Sequence, residues 1–345
     1  MSGSHYLVTG HTGFKGAWLV MMLRARGHKV SGLALDPIPG ALFTEAHLGE
    51  LLEHDFRIDV RDAQVVREAF NAVQPDVVVH MAAQPLVRES YRIPVETIMT
   101  NVIGTLNVLE ATRMTDSVAA HLVVTTDKVY QNVGRAEGYG EHEPLGAADP
   151  YSTSKAMADL LAQSWARSFA GPQLAIARGG NVIGGGDVSA DRLLPDLMRA
   201  FVDGKVAKLR YPDSVRPWQH VLDCLDGYLT IVEALLAGRG SGEWNVGPSA
   251  DSFVTVAEVA DRAASRWGNT AAWESDTSEH PLEATLLTLD ASRIENELSW
   301  KSRLAFPQSV DWTVDWARAV ESGEDPRDVS LRQIDDYLGR VPSGD

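Results

Sequence analysis

A tyrosine and a lysine stand four residues apart in the run Tyr151-Ser152-Thr153-Ser154-Lys155. On a helix such a pair shares one face. An ammonium one turn from a phenol lowers the phenol's pKa and lets it take a proton from a substrate hydroxyl. Asp149-Pro150 directly before the pair reads as a helix opening. Upstream, the apolar run Leu122–Thr125 ends at the hydroxyl of Thr126, a third polar group one strand-to-loop step from the tyrosine. The competing reading is an exposed Tyr–Lys pair on a helix surface. Both the helix-opening position and the nearby hydroxyl oppose it.

A second group of residues suits a dinucleotide. The run Gly10-His11-Thr12-Gly13-Phe14-Lys15-Gly16 follows an apolar segment ending at Thr9 and precedes a helical pattern from Phe14 to Arg26, stopped by Gly27. Glycines at these points let the chain turn tightly and let a pyrophosphate approach the helix N-terminus. Asp36 closes the next strand pattern, 20 residues past Gly16. A carboxylate there bonds both ribose hydroxyls of NAD and repels the 2′-phosphate of NADP. Asp59-Val60, after a third short strand, stand where an adenine contact is expected. Lysine usage adds weight, since the chain has 24 arginines but only 7 lysines, three of which (Lys15, Lys128 and Lys155) lie beside these motifs. Arginine is not deprotonated in proteins and lacks the compact ammonium.

The elements that must position these groups are short apolar runs alternating with helical patterns. Tyr6–Thr9, Val30–Leu35, Val77–His80, Leu122–Thr125 and Leu174–Ala177 read as buried parallel strands. Amphipathic helices are expected over Asp62 to Val73 and Val102 to Arg113. The fold expected is α/β, a Rossmann-type doubly wound parallel sheet with a smaller, mixed α/β C-terminal domain. Residues 1–178 form the first domain, to which the chain returns near 217–246, and 179–345 mainly form the second. Thr255-x-x-Glu258 is a capping-box signature there. The tail Pro342–Asp345 is expected to fray. With 31 basic and 47 acidic side chains, the net charge of −16 argues against nucleic acid or an anionic membrane as partner. A single cysteine, Cys224, suits a reducing compartment, and no signal-peptide pattern or long apolar run is visible, so a cytoplasmic setting is expected. The histidines are scattered and no metal is expected; His80 and Cys224 read as packed core residues.

The segments VTGHTGFKGAWL, HMAAQPLVRESY with Asn101-Val102-Ile103-Gly104-Thr105, TTDKVYQN, DPYSTSK, GNVIGGGD and RPWQHV resemble, in order, those of the CDP-glucose 4,6-dehydratases. These are extended short-chain dehydrogenase/reductases within the NAD-dependent sugar-nucleotide epimerase/dehydratase superfamily. The chain departs from that family at Thr126, where serine is common, and at Val188, where tryptophan commonly follows GGGD. The resemblance implies NAD held by Gly10, Thr12, Gly13, Phe14, Lys15, Gly16, Asp36, Asp59, Val60, Ala82, Ala83, Asn101, Tyr151 and Lys155. It implies that Tyr151, with Lys155 and Thr126, removes the O4 proton of a nucleotide-activated hexose. Asp127 is then the acid and Lys128 the base that eliminate water across C5 and C6, and hydride returns to C6. The rivals are a 4,6-dehydratase of another nucleotide-activated hexose, a nucleotide-sugar 4-epimerase, which has no use for Asp127 and Lys128, and an NAD-binding regulator without turnover.

A sugar nucleotide needs its diphosphate anchored, and guanidinium forks suit phosphate oxygens. Asn181, Arg192, Arg210 and Arg216 are the expected anchors, and Gln84 is expected to face the hexose. Related enzymes pair two helices across a two-fold axis as a four-helix bundle. Here Val108 and Leu109 in Val102–Arg113, and Leu160 and Leu161 in Tyr151–Phe169, supply extra apolar residues, so a homodimer at least is expected.

Overall fold

The computed structural model describes residues 3–268, 271–278 and 286–339; the tail Pro342–Asp345 lies outside them. The strands, in chain order, are β1 (His5–Thr9), β2 (Lys29–Ala34), β3 (Asp55–Arg57), β4 (Val77–His80), β5 (Ala120–Thr126), β6 (Gln173–Gly179), β7 (Asn181–Ile183), β8 (Ala207–Leu209), β9 (Val215–His220), β10 (Gly242–Val246), β11 (Phe253–Thr255) and β12 (Trp273–Ser275). Seven of them form one parallel sheet in the order β10-β6-β5-β4-β1-β2-β3. Parallel strands need helical crossovers, which cover both faces and bury the strands, as the fully buried run Val77–His80 shows. The strand order reverses between β1 and β4. Their carboxyl ends therefore open the crevice where ligands of such sheets bind.

All five expected strands are present, and the helix Ala63–Val73 buries Val66, Ala69, Phe70 and Val73 as its periodicity requires. Asp62 caps it by accepting from the N–H groups of Gln64 and Val65. The expected helix from Val102 begins differently: a π turn, Met99–Ile103, leads into a regular helix, Gly104–Arg113. The seventh strand, β10, has the sequence GEWNV and buries a polar Asn245 between Trp244 and Val246. Its mixed character hides it from a search for apolar runs. Smaller sheets, β11-β9-β7 and β12-β8, belong to the second core, built on Leu194, Leu197, Phe201, Trp218, Val259 and Val314. The capping box forms as expected, with Glu258 N–H donating to Thr255 Oγ1 at 3.1 Å and Thr255 N–H donating to Glu258 Oε2 at 2.7 Å.

The helix Pro150–Ser168 carries Tyr151 and Lys155, and it is bolted to the sheet by buried polar bonds. Asp159, fully buried, receives Arg178 Nε at 2.9 Å and Arg178 NH2 at 2.8 Å. Thr125 Oγ1 donates to the same carboxylate at 3.0 Å, and Gln163 Nε2 at 2.8 Å. Arg178 NH1 donates to Tyr130 OH at 2.9 Å, which in turn donates to Asn245 Oδ1 at 2.6 Å. One network thus joins β5, β6, β10 and the helix. Breaking such a pair on one side strands a buried charge. Asp159→Ala is therefore expected to destabilise the fold by about 3–5 kcal/mol, measured as a lower midpoint in urea; a loss within about 0.5 kcal/mol, the size of a surface change, would show the network to be dispensable.

Candidate active site

The glycine loop is built around two backbone demands. Gly10 sits at φ +75°, and a side chain there would strike Ala82 N at 2.8 Å. At Gly16 an added Cβ would lie 2.2 Å from Gly10 O, so the helix Phe14–Ala25 can close on the loop only through glycine. Gly13 is the exposed N-cap residue, and no side chain caps the helix. The N–H groups of that first turn need acceptors, and a pyrophosphate supplies them. Thr12 Oγ1 donates to Leu35 O at 3.0 Å, tying the loop to the end of β2, and the exposed Asp36 follows directly. Met81 N–H and Ala82 N–H both donate to Thr9 Oγ1 at 3.1 Å, which sets the half-buried loop Ala82-Ala83 against the glycines. These residues fit a dinucleotide.

The outer wall differs in detail from expectation. Arg61 clasps Asp59 through Nε at 2.9 Å and NH2 at 2.6 Å, holding that carboxyl below its usual range, so Asp59 shapes the loop. Val60 is buried against Gly104, where a Cβ would come within 2.6 Å of Val60 Cγ2. Asn107 Nδ2 donates to Val60 O at 2.9 Å. Asn101, in the π turn, is buried; its Nδ2 donates to Ser154 Oγ at 2.8 Å and its Oδ1 accepts from Gln84 N–H at 2.8 Å. It joins the start of the Tyr151 helix to the loop after β4. His80 is a core residue between Thr9 and Thr105, kept neutral by burial.

Around Tyr151 the chain assembles a compact acid–base group. Burial pushes the phenol up to about 12, while the nearby Arg192 guanidinium and a hydrogen bond with the Thr126 hydroxyl pull it down. Thr126 Oγ1 donates to Asp127 Oδ1 at 3.0 Å. Asp127 is fully buried, and its Oδ2 has no partner among the described residues. A methyl group at Gly180 would sit 3.5 Å from that oxygen. Lys128 turns to the crossing segment, its Nζ donating to Asn181 Oδ1 at 3.4 Å.

Lys155 corrects the sequence-based expectation. Its Nζ donates to Val124 O at 2.8 Å, and burial, aided by Lys15, lowers it to about 7. It is therefore partly neutral at physiological pH, and Arg192 is the cation that most lowers the phenol. Lys15 Nζ donates to Tyr228 OH at 3.3 Å and is itself pushed down by burial. Two buried lysines and one arginine thus stand within electrostatic reach of one another in a protein of net charge −16.

Of the expected anchors, Asn181 and Arg192 reach this group. Arg210 gives NH1 to Asp191 Oδ1 at 3.0 Å and NH2 to Asp191 O at 3.1 Å. Arg216 is buried on β9, with NH1 donating to Val215 O at 2.8 Å. Gln84 folds onto its own loop: Nε2 donates to Thr97 Oγ1 at 2.9 Å and Leu86 O at 3.1 Å, and Oε1 accepts from Leu86 N–H at 2.6 Å. Its amide builds the loop instead of presenting itself to a hexose. Sequence reasoning missed Ser90, whose Oγ accepts from Tyr151 N–H at 3.1 Å, Tyr228, and Arg88, which donates to Asp191 Oδ1 at 2.8 Å. None lies in a spacing with a chemical signature.

The depressed Lys155 has a stability consequence. Its folded pKa, about 7, lies below the usual 10.5, so the unfolded chain holds the extra proton between those values. The contribution of this group to stability is present above about pH 10.5 and is lost as pH falls through about 7. Lys155→Met in nucleotide-free protein is expected to flatten the rise of Tm with pH across that window. An unchanged slope in a pH series of melts would mean that Lys155 is solvated.

Comparison with known proteins follows this geometry. Residues 6–247 match the model of the NAD dependent epimerase/dehydratase family. The CDP-glucose 4,6-dehydratase of Salmonella typhimurium strain LT2 is 41% identical over 347 aligned positions, covering 97% of this chain and 96% of that protein. Among solved structures, DesIV, a dTDP-glucose 4,6-dehydratase from Streptomyces venezuelae with NAD and TYD bound, superposes with a TM-score of 0.79 at 25% identity, over 94% of this chain and 99% of the other. UDP-glucose 4-epimerase of Thermus thermophilus, in complex with NAD, superposes equally well, with a TM-score of 0.79 at 26% identity over 91% and 99% of the two chains. The shared architecture serves dehydratases and epimerases alike, and this chain belongs to the NAD-dependent epimerase/dehydratase family.

Proposed function

We propose that this protein is an NAD-dependent 4,6-dehydratase of a nucleotide-activated hexose, converting CDP-D-glucose to CDP-4-keto-6-deoxy-D-glucose. The observation that carries this reading is the juxtaposition of Asp127 and Lys128 with the Tyr151–Thr126 pair at the end of β5. An epimerase has no elimination to perform and no use for that acid and base. The likeness to the Salmonella enzyme along 97% of the chain supports the choice of CDP-glucose. Residues 1–178 with 217–246 are assigned to holding the dinucleotide and 179–345 mainly to the sugar nucleotide. Gly10, Gly13, Gly16, Thr12, Lys15 and Lys155 hold NAD, and Asp36 selects it over NADP. A cytosolic location fits the single buried cysteine.

When bound, NAD supplies the acceptor and donor of one hydride, taken from C4 and given to C6. Tyr151 receives the O4 proton. At about 12 the phenol holds its own proton at neutral pH, so it must pass one on as it takes another. The Thr126 hydroxyl joins the two groups, hydrogen-bonded to Tyr151 and donating to Asp127 Oδ1, and is the path by which the phenol's proton reaches the carboxylate. Asp127, thus protonated, delivers that proton to the departing C6 hydroxyl through Oδ2, which has no partner among the described residues. The 4-ketone acidifies C5, and Lys128 removes that proton and later returns it to C5. The O4 proton leaves in the water, and the sugar has no net redox change. General acid–base groups of this kind contribute about 10²–10⁴-fold each.

Incubated with CDP-, dTDP-, GDP- and UDP-glucose, the enzyme is expected to remove one water from CDP-glucose, read by mass spectrometry. In Lys128→Met, nicotinamide absorbance still changes on mixing with substrate, because Tyr151, Thr126 and Lys155 are intact. Water loss and uptake of solvent deuterium at C5 fall by roughly 10²–10⁴-fold. Elimination at the wild-type rate in the variant would reduce Lys128 to a surface charge and remove the dehydratase reading.

A homodimer is part of the proposal, with a corrected face. Val108 and Leu109 are buried inside the subunit, and Leu161 packs against a core cluster. The apolar side chains left exposed on the adjoining helices are Val95, Ile98, Met99, Met157 and Leu160. A second copy covering this face, helix pair on helix pair, completes a four-helix bundle. Light scattering at micromolar concentration is expected to give the dimer mass for wild type and the monomer mass for Leu160→Asp; a monomeric wild type would sink the idea.

A further inference from the structure

Two arginines from distant parts of the chain meet on one carboxylate oxygen. Arg88 lies in the helix Val87–Arg92, which follows β4 at the dinucleotide side. Arg210 follows β8, in the second core. Arg88 NH1 lies 2.8 Å and Arg210 NH1 3.0 Å from Asp191 Oδ1. Both ends of this bridge are tied in sequence to residues that touch or act on Tyr151. Ser90, two residues after Arg88, accepts from Tyr151 N–H, and Arg192, next to Asp191, is the cation that most lowers Tyr151.

The bridge is poorly matched as a permanent fixture. At Asp191 Oδ1 one carboxylate oxygen meets two guanidiniums. Asp191 holds φ +60°, a backbone region that only glycine adopts freely and that asparagine and aspartate tolerate best. Its side chain is 43% exposed, Arg88 40% and Arg210 22%, so solvent screens the pair and it contributes little to stability. Guanidinium forks match phosphate oxygens two at a time, and a diphosphate carries enough charge to neutralise both arginines at once. Asp196, held by Arg199, stands close enough to feel Arg210 and Asp191.

We propose that Arg88 and Arg210 form a diphosphate clamp whose resting occupant is the Asp191 carboxylate, displaced when the nucleotide sugar enters. The clamp rests on the reading of the substrate as a sugar nucleotide. It makes Arg88 a determinant of binding contributed by the dinucleotide side, and it makes Asp191 a competitor of the substrate. A molecule without a diphosphate leaves the bridge closed.

The test uses the fact that two substitutions which break the same bridge have opposite consequences under this mechanism. CDP and cytidine are titrated calorimetrically into wild-type, Arg88→Gln and Asp191→Asn enzyme. Arg88→Gln is expected to weaken CDP by about tenfold, and Asp191→Asn to tighten it by about three- to tenfold. Cytidine affinity stays the same in all three, which also reports an intact fold. A merely structural bridge is lost in both variants, so a shift of CDP affinity in one common direction overturns the proposal, as does no shift in either. Should wild type prefer dTDP or UDP to CDP, the substrate reading is corrected and the same three-protein comparison with that nucleotide decides the clamp. A wild type that takes none of the three overturns both.

Discussion

The carboxylate of Asp159 and the guanidinium of Arg178 are both fully buried, and each is tolerable there only because the other is present. That requirement sets the position of the helix Pro150–Ser168 on β5 and β6. A shift of the helix by one residue would pull the fork off its carboxylate and leave two charges without water. Because Tyr151 and Lys155 lie two turns and one turn before Asp159 on the same helix, their heights above the sheet follow from the pair. The Arg178–Tyr130–Asn245 chain extends the constraint to β10 and to the loop beyond β5. Asn245 Nδ2 also reaches Tyr139 O and Asp290 O at 2.8 Å, so the segment that follows β5 and precedes the helix of Tyr151 is tied to the same charge pair.

With the frame set, the cleft's electrostatics follow from what is left unneutralised. Burial lowers both Lys15 and Lys155, Lys15 lowers Lys155 further, and Arg192, a third cation, lowers Lys15. Such an arrangement is unfavourable alone and favourable once phosphates enter, which is why a strongly acidic protein can bind an anionic cofactor and an anionic substrate. The acid–base group works by the opposite device. Asp127 is buried with one oxygen bonded to Thr126 and the other without a partner among the described residues, so the carboxylate is joined to Tyr151 through one hydroxyl.

Much of this was legible in the chain itself. The glycine spacing, the helix-opening Asp149-Pro150, the Tyr151–Lys155 interval, the five apolar strands and the capping box at Thr255 are local features. Each is dictated by backbone geometry or by the helix repeat within a few residues, and each is found where its pattern puts it. The family followed from ordered motifs of the same local kind.

What the tertiary structure decided depends on which groups meet across distant segments. Nothing near Lys155 in the chain shows that its ammonium turns to Val124 O, or that Arg192 takes the place beside the phenol. Gln84 looks like a free amide until Thr97 and Leu86 claim it. Val108 and Leu109 look like a spare apolar face until the sheet and the neighbouring helices cover them. The strand GEWNV lacks an apolar run, and its place in the sheet is settled only when Trp244 and Asn245 find β6 and the Arg178 network. Asp191 and Arg88, separated by 103 positions, carry no signature at all. Local sequence determines conformation through short-range sterics and periodicity, whereas pairing of charges and hydrogen-bond partners is settled by burial, which only the packed chain defines.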